Sequence, residues 1–267
     1  MGAVVLVVEF ECRRCGMVVS FEEYTKSNFC PNCETRLRSK RLKMVCGPKS
    51  PEPPIEIRPE GINLDSLFFE YNKYSPIAPG GGIVFSSVDK WISARKRAYE
   101  RFREKFSGEK LLDFDYLSRV FKDWLLFRNN LSWTTLQRTG NSALEQPERL
   151  AELIILLRDD DLDVGERVRR GLVGAEKVKG IGQGILTGLL HTFFDEKYCV
   201  WNSRTQDTLK ILRRPPKEYS DLGKSYKAVN KKLHEMAQEL DTDLTTIDGF
   251  MWFISKHIKF IESSSGK

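Results

Sequence analysis

The chain has 267 residues, 40% hydrophobic and 30% charged; this suits a soluble globular protein with one substantial core plus a small satellite domain, and excludes a disordered one. The apolar run from Ala3 to Val8 has no basic residue before it and is too short to span a bilayer or form a signal core, so a cytoplasmic location and no membrane partner are expected. The net charge of +6 matters where it clusters: Lys90 to Lys110 holds eight Lys or Arg against three Glu, and Lys210 to Lys232 eight against two acids, either solvated helix faces or a polyanion-binding surface.

Four of the six cysteines form two Cys-x-x-Cys pairs, Cys12/Cys15 and Cys30/Cys33, with fourteen residues between them. Without a secretion signal, such pairs point to metal before disulfides. Two intervening residues let each pair make a tight knuckle; Gly16 relieves crowding after the first and Pro31 helps set the second. The stretches Val4 to Phe10 and Met17 to Phe21 read as strands. The expectation is a small β zinc ribbon over residues 1–47 holding one structural Zn2+ through Cys12, Cys15, Cys30 and Cys33. Four thiolates close the coordination sphere, so the metal folds the domain and does no chemistry. A redox reading of the pairs lacks any βαβ context. Cys46 and Cys199 are left over, and Cys199 reads as a buried small hydrophobe.

Residues 48–62 are proline-rich and read as a linker, and Ser75 to Gly82 is a second soft stretch. Residues 63–267 are expected to form an all-α domain, so the fold class is mainly α. Trp91, Ala94, Ala98 and Phe102 make one apolar stripe, and Leu117, Val120, Phe121, Trp124 and Leu125 another. Pro147 opens a helix carrying Leu150, Leu153, Ile154 and Leu157. Leu222, Tyr226, Val229, Leu233, Met236 and Leu240 alternate steps of four and three, as a short coiled-coil seam or a globular helix face. Thr245 with Asp248 forms a capping pattern for a last helix bearing Phe250, Ile254, Ile258 and Ile261.

The stretch that speaks to function is Val178-Lys179-Gly180-Ile181-Gly182-Gln183-Gly184-Ile185-Leu186. A helical segment from about Glu166 precedes it and an apolar helix to Phe194 follows. Two glycines flanking an isoleucine permit a tight turn between helices, with Ile181 as an inward plug. The amides around Gly182 and Gly184 then open the second helix and offer a phosphate site. Lys177 and Lys179 add long-range attraction, and Gln183 completes the candidate DNA contacts. A plain packing turn is the alternative. A nucleotide-binding glycine loop is disfavoured because no strand precedes it.

This stretch resembles the helix-hairpin-helix element of DNA repair proteins. The likeness runs from about Leu111 to Leu212 and is similar to the helix-hairpin-helix DNA glycosylases, the endonuclease III group among them. In that family the hairpin helix leads to a catalytic aspartate, and lyase members carry a nucleophilic lysine just after the hairpin. Here the corresponding loop is Val200-Trp201-Asn202-Ser203-Arg204-Thr205, and the lysine position, eighteen before Asn202, is Gly184. Asparagine is neither a charge nor a useful base, and glycine offers no amine for a Schiff base. Asp195 or Asp207 is the candidate for a displaced catalytic acid, with a solvated loop or helix residue as the plain reading of each. Trp133, Trp201, Asn202 and Arg204 are candidates for a base pocket, and Phe193 and Phe194 for stacking. Core packing of the aromatics and capping of the next helix, Gln206 to Leu212, by Asn202 are the alternatives. No cysteine cluster follows the hairpin, so no iron–sulfur cluster is expected, and His191, His234 and His257 show no ligand spacing.

The resemblance, with its acid and amine positions not retained, implies non-catalytic recognition of duplex DNA or of a modified or damaged site. The Trp-Asn-Ser-Arg-Thr loop is also similar to one in N-terminal domains of modification-dependent restriction systems, which implies a protein partner supplying nuclease or motor activity. An active glycosylase or abasic-site lyase of base-excision repair is the second reading. A ribbon that docks RNA or protein is the third.

Overall fold

The computed structural model describes residues 9–11, 18–20, 55–57, 62–74, 87–128 and 142–260. The chain divides into two compact units, Met1–Glu52 with Ser75–Ser86, and Pro53–Tyr74 with Ser87–Lys267. In the first, β1 (Glu9–Glu11) pairs antiparallel with β2 (Val18–Ser20), with Phe10 opposite Val19. β2 lies within the stretch Met17 to Phe21 read as a strand, and β1 overlaps the end of the stretch Val4 to Phe10 and runs one residue past it. Cys12, Cys15, Cys30, Cys33 and Cys46 lie outside the described residues.

The second unit is mainly helical. Its helices are α1 (Leu64–Asn72), α2 (Val88–Lys105), α3 (Phe114–Arg128), α4 (Pro147–Arg158), α5 (Val164–Val173), α6 (Gln183–Phe193), α7 (Ser203–Ile211), α8 (Leu222–Glu239) and α9 (Leu244–His257). Most begin at a side-chain cap. Asn63, Ser87, Asp163, Asn202, Asp221 and Asp243 each accept a first-turn amide, and Pro147 occupies the first position of α4. α6 is the axis of one half: Leu186 through Phe193 are all buried, against α2, α4 and α5. α9 is the axis of the other, packed on α1, α2, α7 and α8. The four–three repeat from Tyr226 to Leu240 faces inward along α8, which packs against α5 and α9. It is therefore a globular helix face and not a coiled-coil seam.

Three boundaries differ from the sequence expectation. The cap of α9 is Asp243, whose carboxylate accepts the Thr246 amide at 2.9 Å. Thr245 is buried and Asp248 is ion-paired with Arg95 instead, so neither is free to cap. α7 starts at Ser203, a turn before the expected Gln206. α9 stops at His257, and Ile258 begins β4 (Ile258–Phe260), which pairs in parallel with β3 (Ile55–Ile57). A strand thus lies inside the stretch read as a linker, and it adds a two-stranded β element to the helical body. Among the described residues no helix is long and apolar enough to cross a membrane.

Candidate functional site

The turn between α5 and α6 is built from its glycines. Gly180 sits at φ 86°, a left-handed conformation that costs side-chain-bearing residues strain. It turns the chain so that Val178 and Ile181 enter the core while Lys177, Lys179 and Gly182 face solvent. Glu176, the acid of this turn, is tied back to Arg170, whose hydrogen bond holds the Glu176 carboxyl below its usual range. Lys177 and Lys179 have no acidic partner among the described residues.

The start of α6 differs chemically from the other helix starts. Its cap residue is Gly182, no side chain caps it and no acid lies in the first turn. The Gln183 and Gly184 amides have no acceptor among the described residues. A Cβ built on Gly182 would meet nothing within 4 Å, so the approach to these amides is open. Exposed first-turn amides at the positive end of a helix favour an anion.

Beside this end lies the segment 197–202, whose backbone is fixed by side chains from several helices. Asn230 of α8 accepts the Cys199 amide at 2.8 Å and donates to the Lys197 carbonyl at 3.0 Å. His234 donates to the same carbonyl at 2.9 Å, and Tyr226 donates to the Cys199 carbonyl at 3.0 Å. From α6, His191 donates to the Tyr198 carbonyl at 2.7 Å, and the fully buried Thr187 accepts the Trp201 amide at 2.9 Å. Arg167 of α5, also fully buried, donates to the Tyr198 hydroxyl at 2.6 Å. A backbone held at this many points is fixed in one conformation.

That conformation brings together the two positions singled out by spacing. A Cβ on Gly184 would stand 3.2 Å from the Asn202 Cβ, so the start of α6 and the cap of α7 touch. Asn202 is a cap: its Oδ1 accepts the Thr205 amide at 2.9 Å. Trp201 and Phe193 are buried in the core, and Phe194 packs edge-on against Tyr198. Arg204 is half-buried on α7, and Trp133 lies outside the described residues. Asp195 is not a solvated loop residue; it is mostly buried and ion-paired with Arg103, which also donates to the Thr192 carbonyl at 2.8 Å. Asp207 is exposed on α7. Burial pushes the Cys199 thiol pKa upward, which keeps it protonated and inert. Among the described residues no group of His, Cys, Asp or Glu is arranged to hold a metal.

Sequence reasoning missed Arg167, Thr187 and Asn230, which hold the segment, and read Tyr226 only as part of an apolar helix face. The available signal was polar side chains inside apolar helical runs, Thr187 among leucines and Asn230 beside Val229. Comparison with known proteins assigns no family, since no family model, curated protein or solved structure matches the chain.

Proposed function

We propose that this chain is a non-catalytic, duplex DNA-binding protein with a helix-hairpin-helix glycosylase-like body and an N-terminal zinc ribbon. The observation that carries the reading is the uncapped, acid-free and sterically open start of α6, flanked by exposed Lys177 and Lys179. Its amides receive a backbone phosphate, Gly182 lets the strand approach closely, and the buried Ile181 anchors the turn. Exposed cations of the two clusters, among them Lys90, Arg97, Arg101 and Lys210, widen the footprint without reading sequence, whereas Arg95, Lys96, Arg103, Arg214 and Lys227 are ion-paired within the protein. In the ribbon, Cys12, Cys15, Cys30 and Cys33 supply the donor set for one structural zinc, and β1 and β2 flank the first pair.

Asn202 and Gly184 touch where the glycosylase resemblance puts an acid and an amine, and neither supplies that chemistry. Asp195 is committed to Arg103 and Asp207 faces solvent on the helix, which weighs against either as a displaced acid. The body therefore recognises DNA, with a modified or damaged site as its preferred target, and a protein partner supplies nuclease or motor activity.

Gly182→Asp tests this directly. An aspartate at the cap position accepts a first-turn amide, so the melting temperature stays at or above that of the parent chain. The same carboxylate occupies the phosphate site, so duplex affinity falls by about tenfold or more, measured by titration at fixed salt. Parent affinity falls steeply as salt rises. A flat salt response, or a Gly182→Asp variant that binds like the parent, sinks the reading. Base release or strand incision on duplexes carrying uracil, hypoxanthine, 8-oxoguanine or an abasic site makes the protein an enzyme instead.

A further inference from the structure

α7 ends in a turn whose geometry favours glycine and whose residue is an arginine. The Arg214 amide reaches back to the Leu209 carbonyl at 2.8 Å and the Arg213 amide to the Lys210 carbonyl at 2.9 Å, with Arg213 at φ 57° between them. This is the Schellman arrangement, in which the left-handed residue is usually glycine because a Cβ there is strained. Elsewhere among the described residues glycine takes the positive φ, at Gly108 and Gly180. α8 closes with the same pattern around Asp241 at φ 47°, but short polar side chains tolerate this conformation far better than long ones. Among the described residues, Arg213 and Asp241 are the non-glycine residues with positive φ.

The backbone hydrogen bonds of the turn hold this conformation, but the Arg213 side chain adds nothing to it among the described residues. Its side chain is exposed and has no hydrogen bond, ion pair or ring contact among the described residues. The neighbouring cations are used differently. Arg214 forks onto Glu239, and Lys217 lies over the Tyr219 ring at 5.3 Å. Arg213 and the exposed Lys210 present uncompensated charge at the end of α7 opposite Asn202. A glycine would make the same turn without the strain, so a long cationic side chain kept there without a partner points to a role outside the fold.

We infer that Arg213 holds a phosphate of the bound DNA, a second backbone contact separate from the one at the start of α6. This rests on the DNA-binding reading and adds to it a place on the surface. The rise of α7 sets Arg213 roughly 15 Å from Asn202. Duplex DNA carries a charge about every 1.7 Å of axis, so a contact that far away meets a different phosphate.

The experiment compares the full-length parent, Arg213→Gly and Arg213→Lys in thermal melts and in duplex titrations across salt. Arg213→Gly relieves the strain and removes the charge. Its melting temperature is expected at or above the parent's, while its affinity falls about threefold or more and its salt slope shrinks by roughly 0.9. Arg213→Lys keeps both strain and charge, so it binds close to the parent and does not melt higher. An Arg213→Gly variant that binds like the parent overturns this contact and leaves the DNA reading standing. One that melts lower makes Arg213 a folding residue and overturns it too. A parent chain that does not bind duplex DNA removes the reading and this contact together.

Discussion

Asn202 is where two uses of one amide compete. Its Oδ1 accepts both the Thr205 amide at 2.9 Å and the Thr205 hydroxyl at 3.2 Å, so that oxygen is spent on starting α7. Asn202→Ala should therefore destabilise the chain by about 1 kcal/mol, and Asn202→Asp, which keeps the acceptor, by little or nothing. Paired thermal or denaturant melts decide it, and an alanine variant as stable as the parent would show that the cap contributes nothing. The capping role was legible because it depends on residues three apart. The same local rule misplaced the cap of α9: Asp243 stands just before the helix, whereas Thr245 is its second residue and is buried, and Asp248 is held by Arg95. Gly184 and Asn202 were singled out by their spacing in sequence, but their closeness in space comes from Thr187, one turn further along α6, which bonds the Trp201 amide.

At the scale of elements, the tightest fit is the crossing of α5 and α8. Both helices begin Asp-x-Gly, at Asp163-Val164-Gly165 and Asp221-Leu222-Gly223, and the two glycines meet. A Cβ on Gly223 would fall 2.3 Å from the Gly165 carbonyl oxygen, closer than any real contact, and the obstacle is backbone. Lys227 spans the crossing to Asp163 at 2.8 Å, and its hydrogen bond holds the Asp163 carboxyl below its usual range. Gly223→Ala has to part the two helices and should cost about 1–3 kcal/mol, read as a fall in the denaturant midpoint. An alanine variant of unchanged stability would mean that the helices slide apart freely. The helices themselves were legible from the spacing of their apolar residues. Their crossing was not, because two glycines about 60 residues apart carry no periodic signal.

For the whole molecule, the division into two units predicts separable behaviour. The purified chain should contain one zinc, and stripping it with a chelator should expose residues 1–52 to protease while the helical body keeps its melting transition. Metal-free protein, or a body that melts on chelation, would contradict this. The mainly helical body was legible from the sequence, whereas the β3–β4 pair was not. Prolines around Ile55–Ile57 read as a linker, and the partner strand lies about 200 residues later, beyond the reach of any local pattern.

That distance has a consequence during synthesis. β3 leaves the ribosome with nothing to pair with, and at about 5–20 residues per second it waits roughly 10–40 s for residues 258–260 to be made. A waiting strand with open edges invites pairing with another nascent chain. Pro53 and Pro54 stand immediately before β3 and Pro59 two residues after it. A proline withholds its own amide, so these flanking prolines confine any intruding strand to the three residues of β3.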